Sequence, residues 1–121
     1  MMKLKLAVIA LWAEDVNRTA AFYRDILGLP LLTVDRGRPH FDLGGGYLVI
    51  LPGRPNQAEG TRFPALAFAI GDLETAVQQL KSQGVELPWG IEEDRDSRWV
   101  MFNDPGGNLL ELAKFGHKAR D

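Results

Sequence analysis

Apolar and polar positions alternate along this chain in a pattern that occurs twice. Residues 4–12 are apolar throughout except for Lys5, which reads as a buried strand, and the run stops just before Glu14-Asp15. Residues 63–70, from Phe63 to Ile70, form a second apolar run that stops just before Asp72. Each Asp opens a stretch with helical spacing: Val16, Ala20, Tyr23 and Leu27 after Asp15, and Leu73, Ala76, Val77 and Leu80 after Asp72. A carboxylate at that point accepts the free N–H groups of a first helical turn, and Gly28 and Gly84 suit the positions just past the ends. Three short runs come after each helix, at 31–35, 38–43 and 47–51 and again at 85–92, 98–103 and 108–114. Gly44-Gly45-Gly46 and Asp104-Pro105-Gly106-Gly107 supply the turns before the last strand of each set.

The pattern predicts an α+β domain of two βαβββ modules. Residues 40–51 are echoed by 101–112, so one supersecondary unit is used twice. Module one covers 1–52, a linker fills 53–64, module two covers 65–114, and 115–121 is a charged tail; the stretch from Pro52 to Pro64 holds three prolines and two glycines. Strand alternation puts Ile9 and Leu11 on one face and Val8, Ala10 and Trp12 on the other; Leu66, Phe68 and Ile70 oppose Ala65, Ala67 and Ala69. The bulkier sets are expected under the helices, and the others line whatever the curved sheet encloses.

Composition narrows the chemistry. The chain has 121 residues, 45% apolar and 25% charged, enough for one domain with its own core. It contains no cysteine, which removes disulfides, thiolate nucleophiles and thiolate metal ligands. Net charge is −2 with both signs interspersed, so there is no basic footprint for nucleic acid. The N-terminal residues run straight into the first predicted strand, with no signal peptide and no long apolar span, so the expectation is a cytoplasmic protein without membrane partners.

The segments Ala10-Leu11-Trp12-Ala13-Glu14-Asp15-Val16, Ala21-Phe22-Tyr23-Arg24-Asp25-Ile26-Leu27-Gly28-Leu29, Ala67-Phe68-Ala69-Ile70-Gly71-Asp72-Leu73 and Asp104-Pro105-Gly106-Gly107-Asn108-Leu109-Leu110-Glu111-Leu112 together resemble the vicinal-oxygen-chelate superfamily. That superfamily includes glyoxalase I, extradiol dioxygenases, fosfomycin-resistance enzymes and bleomycin-resistance proteins. The resemblance implies that the modules form a curved mixed sheet around a cup holding a divalent metal, with ligands from the first and last strand of each module. It also implies a homodimer, since the family often pairs modules between subunits. The first-strand ligand usually lies seven residues before the helix-opening Asp, which falls here on Val8 and Ala65. The last-strand positions correspond to Ile50 and Glu111. Three of these four side chains carry no lone pair, and a divalent site needs about three protein ligands. The expectation is therefore no metal and no cofactor.

Glu111 remains the leading functional residue. A carboxylate facing a cup lined by Val8, Ala10, Ile50 and Ala65 is partly desolvated, which raises its pKa and suits a general base or an anchor for a donating ligand. The plainer reading is a carboxylate held by a neighbouring Arg or standing in water at the mouth. His40 pairs in the repeat with Met101, and the resemblance implies that Arg38, His40 and Asp42 face the cup, with ligand contact or proton transfer open to His40. A metal site rebuilt from Glu111, His40 and Asp42 is a further alternative. Trp12 and Trp99 are expected on the cup face with Val8 and Met101, either as stacking rings or as packing. Trp89, beside Pro88, reads as core or interface. The run Glu92-Glu93-Asp94-Arg95-Asp96 reads as a solvated turn or as an acidic lip for a cation, Gly44-Gly45-Gly46 as a hairpin turn, and His117 as a solvated tail residue.

Two functions stand side by side. One is a metal-independent small-molecule-binding protein of the bleomycin-resistance type, with an apolar or aromatic ligand contacted by Trp12, His40, Trp99, Met101, Val8, Ile50, Ala65 and Arg38. The other is a lyase, isomerase or dioxygenase-like enzyme using Glu111 as base or as residual metal ligand, with Arg38 or Arg98 stabilising an oxyanion where no metal does. A partner-binding subunit acting through its surface is a third.

Overall fold

The computed structural model describes residues 2–55, 60 and 62–116. His117, most of the predicted tail and part of the predicted linker lie outside the described residues. The chain divides into two units: residues 1–59 with 104–108, and residues 60–103 with 109–121.

In the first unit, β1 (Val8–Ala13) leads to α1 (Val16–Ala21), which continues into a π-helical turn over Phe22–Ile26; β2 (Leu31–Asp35), β3 (Arg38–Asp42) and β4 (Tyr47–Pro52) come next. The sheet order is β1-β4-β3-β2, with β1 parallel to β4 and the other pairs antiparallel. Asp15 caps α1 by accepting from the Arg18 N–H. The wide π turn shifts the helical phase, so the adjacent residues Phe22 and Tyr23 are both buried, while Leu27 beyond it is only half-buried; Val16, at the helix start, is half-buried as well. Tyr23 packs against Phe41 with centroids 6.1 Å apart, within a core that includes Leu11, Ala13, Leu48 and Ile50.

The first strand is shorter than its apolar run. It begins at Val8, where its partner β4 begins at Tyr47, and among the described residues the backbone of 4–7 is joined to the sheet only by the bond from the Tyr47 N–H to the Ala7 carbonyl.

The turn Asp104–Asn108 belongs to this first unit and is held there by a buried network. One carboxylate oxygen of Asp104 accepts from the Gly106 and Asn108 N–H groups at 2.9 Å each. The other accepts from Tyr23 Oη at 2.5 Å and from Asn108 Nδ2 at 2.9 Å. Asn108 Nδ2 also donates to the Trp12 carbonyl. Gly106 lies so close to β1 that an added Cβ would stand 2.9 Å from Ala13 Cβ and 3.1 Å from the Trp12 oxygen.

In the second unit, β5 (Leu66–Ala69), α2 (Leu73–Ser82), β6 (Glu92–Glu93), β7 (Ser97–Asn103) and β8 (Leu109–Phe115) repeat the arrangement in the order β5-β8-β7-β6. Each module is thus βαβββ with a mixed four-stranded sheet. Asp72 caps α2 through the Thr75 N–H and hydroxyl, which hold its carboxyl below the usual carboxylate range. Leu73, Ala76, Val77 and Leu80 face the sheet, meeting buried Val100, Phe102, Leu110 and Leu112. The strand predicted over 85–92 shrinks to Glu92–Glu93. Gly84 and Val85 donate back to the helix end, and Gly90 closes a turn on the Leu87 carbonyl, so those residues are spent before a ladder can start.

Candidate functional site

Each sheet has one face under its helix and one open face. Residues directly opposite on neighbouring strands share a face, so the register sorts the predicted site residues. In the first unit the open face carries Val8, Ala10 and Trp12 from β1, Tyr47 and Val49 from β4, and Arg38, His40 and Asp42 from β3. Val8 and Trp12 are substantially exposed, at 46% and 40%. The Trp12 ring lies against Gly53, where a Cβ would come within 2.9 Å of the indole. His40 Nδ1 is 2.8 Å from the Arg38 carbonyl, and its ring sits 4.9 Å from that of Tyr47. Asp42 is occupied locally, accepting from the Gly44 N–H. Arg38 stands at the start of β3, opposite Asp35.

Ile50 is not on this face. It is fully buried on the helix side, level with Leu11, and the residue between Ala10 and His40 is Val49. The cause is a difference of one residue. Four residues separate the paired ends of β3 and β4, Asp42 and Tyr47, whereas five separate Asn103 and Leu109 in the second unit. A repeat offset correct for β3 and β7 is therefore one residue out on β4 and β8, and a one-residue slip moves a side chain through the sheet.

In the second unit the open face carries Ala67 and Ala69 from β5, Glu111 and Ala113 from β8, Trp99 and Met101 from β7, and Glu92 from β6. Ala65, just ahead of β5, donates its N–H to the Leu109 carbonyl and continues the alternation. Glu111 thus stands between Ala67 and Met101. It is half-buried, and desolvation pushes its pKa up, with a smaller contribution from the charge of Glu92. Among the described residues its carboxylate has no hydrogen-bonding partner, and the buried indole nitrogen of Trp99 has none either.

One group not singled out in the sequence, Arg62, joins two that were, Glu92 of the acidic run and Trp89, which is not a core residue at 39% exposure. Glu92 turns its side chain to this face and accepts from Arg62 Nη2 at 2.5 Å. The Arg62 guanidinium also lies over the Trp89 ring, 4.1 Å from its centroid. Only the acidic run around Glu92 hinted at this; nothing local links Arg62 to a tryptophan 27 positions later. Arg98, considered for an oxyanion, sits on the helix side of the sheet and pairs with Glu74.

The donor set does not fit the family's divalent metal. The side chains of Val8, Val49 and Ala65 have no coordinating atom, and among the described residues no three His, Asp or Glu side chains are grouped to hold a metal ion.

The folds of known proteins match this architecture. The crystal structure of the fosfomycin resistance protein FosX from Listeria monocytogenes superposes with a TM-score of 0.81 at 24% identity, covering 99% of this chain and 100% of that one. TnmS3, an antibiotic binding protein from Streptomyces sp. CB03234, gives 0.80 at 21% identity over 95% and 98%. In sequence, the uncharacterized protein YaeR of Escherichia coli (strain K12) is 33% identical over 86% of this chain and 91% of its own length. The metallothiol transferase FosB of Staphylococcus haemolyticus is 31% identical over 82% and 75%. With two βαβββ modules, these relatives, and a family pattern matched across residues 5–112, the chain belongs to the Glyoxalase/Bleomycin resistance protein/Dioxygenase superfamily.

Proposed function

We propose that this protein binds a small apolar or aromatic molecule without a metal, holding it against the open face of the second sheet with Glu111 as anchor. The observation that carries this reading is a half-buried carboxylate, without a hydrogen-bonding partner among the described residues, set among Ala67, Met101 and Ala113 on the face that also carries Trp99. Apolar surroundings favour the body of a ligand, and a carboxylate lacking a protein partner favours one hydrogen-bond donor or cation upon it. TnmS3, which shares the fold, is an antibiotic binding protein. Taken by itself, the open face of the first sheet offers a comparable apolar and aromatic surface in Val8, Trp12 and His40.

We propose further that the chain works as a homodimer. Leu4 and Leu6 ahead of edge strand β1, and Leu32 and Val34 on edge strand β2, are exposed apolar side chains at sheet edges that a second copy would cover.

Titration with 1-naphthylmethylammonium, followed by tryptophan quenching, tests the binding site. Wild type should show saturable quenching that is lost in Trp99→Phe. Glu111→Gln should bind about tenfold more weakly, the value of one charge-assisted hydrogen bond in a partly solvated site. Equal affinity in the two proteins removes Glu111 as anchor, and quenching that never saturates removes the binding reading.

The raised pKa of Glu111 also favours a second reading, a general base in an enzyme of this superfamily. Turnover abolished by Glu111→Gln with ligand affinity retained would establish it.

A further inference from the structure

Arg62 precedes β5, and its guanidinium makes two contacts of different kinds. It donates to Glu92 at 2.5 Å and lies 4.1 Å above the centre of the Trp89 ring. Neither contact belongs to the core: the side chains of Arg62 and Glu92 are 46% and 25% exposed, and Trp89 is 39% exposed. As a stabilising device the arrangement is poor, because a partly exposed ion pair contributes little and a long side chain loses rotamer freedom to make it. As a binding device it is complete. A carboxylate on one side and an indole face on another are the two interactions by which proteins hold a guanidinium or an ammonium group.

Position adds the second argument. Glu92 stands opposite Trp99, on the face that carries Met101 and Glu111. A cation leaving Glu92 would uncover a second carboxylate on the same face as Glu111, with Trp99 on the strand between them.

We propose that Glu92 and Trp89 form a cation subsite, filled in the resting chain by the chain's own Arg62. A ligand bearing a guanidinium or ammonium group displaces Arg62 there, while its apolar body lies along Trp99 toward Glu111. The proposal rests on the ligand-binding reading of the open face. It adds the charge of the ligand and an internal competitor that selects for that charge. A weakly held occupant suits this role, since a tightly held one could not be displaced.

The test uses ethylguanidinium and its neutral counterpart ethylurea, titrated into the full chain with the Trp89 indole N–H followed by NMR. Arg62→Ala should bind ethylguanidinium about tenfold more tightly than wild type, because the competing ion pair and ring contact are gone. Ethylurea should show no gain, Arg62→Lys should stay near wild type because it keeps a competing cation, and Arg62→Ala/Glu92→Gln should lose the gain. Equal affinity of wild type and Arg62→Ala, or a gain that survives Glu92→Gln, overturns the proposal. If that happens while the naphthyl probe still quenches Trp99 in a Glu111-dependent way, the cation subsite alone is refuted and the ligand face stands. If the naphthyl probe fails as well, the reading beneath it is refuted too.

Discussion

Replacing Tyr23 with Phe removes one oxygen atom from the buried polar network around Asp104. The Tyr23 hydroxyl is fully buried and donates at 2.5 Å to a carboxylate that is itself only 4% exposed. Hydrogen bonds to charged groups contribute about 1.5–3 kcal/mol, and Asp104 would keep its other three donors, so the expected loss at pH 7 is about 2 kcal/mol. The same bond carries a pH signature. Burial first, and then the Asp104 charge, hold the Tyr23 hydroxyl protonated well above the ordinary range, while in the unfolded chain a tyrosine ionises near pH ~10. Above that pH the folded state binds the extra proton. Stability from this group is therefore complete below pH ~10 and falls by about 1.4 kcal/mol per pH unit above it. Tyr23→Phe lacks this dependence, so the gap between the two proteins should close near pH ~11.5. Urea unfolding followed by tryptophan fluorescence, at pH 7, 9, 10.5 and 11.5, measures both effects. A gap below about 0.5 kcal/mol at pH 7, or one that stays constant to pH 11.5, would refute the reasoning.

Glu111→Gln should raise stability at neutral pH. The folded-state pKa is raised, so the carboxylate's unfavourable contribution is absent below its unfolded value near pH ~4.3 and grows as pH rises through the folded value. Denaturation at pH 4 and pH 7 should show the gain at the higher pH alone. Elemental analysis after incubation with excess Zn²⁺, Mn²⁺, Fe²⁺ and Ni²⁺ and gel filtration should leave metal well below stoichiometry. A stoichiometric ion lost in Glu111→Ala would overturn the donor-set argument. Gly106→Ala should cost about 1–3 kcal/mol in thermal or urea unfolding, because its methyl group would meet Ala13 Cβ at 2.9 Å. Sedimentation equilibrium should give twice the chain mass of 13.4 kDa, and Leu4→Glu/Leu6→Glu should shift it toward one copy if the apolar edge at β1 is the contact.

Much of the fold was legible because its signals are local. Asp15 and Asp72 announce the two helices by a side chain that bonds to an N–H three residues on, and both caps are present. The alternation of Leu66 and Phe68 against Ala67 and Ala69 sorts the faces of β5 without knowledge of any partner strand. The first helix was less legible: a π turn at Phe22–Ile26 adds a residue to one turn, and helical spacing read at 3.6 residues then misassigns the positions beyond it.

The chain by itself therefore determined the two βαβββ modules and the helix ends, since periodicity and caps act over a few residues. Pairing decided the rest. Whether Val49 or Ile50 reaches the open face depends on a hairpin one residue shorter than its repeat, visible only once β3 and β4 are in register. The bond from Tyr23 to Asp104 spans 81 positions, and the one from Arg62 to Glu92 spans 30. Such contacts leave no periodic trace, because they are set by where the backbone brings two distant side chains and by the burial that makes their pairing strong or keeps it weak.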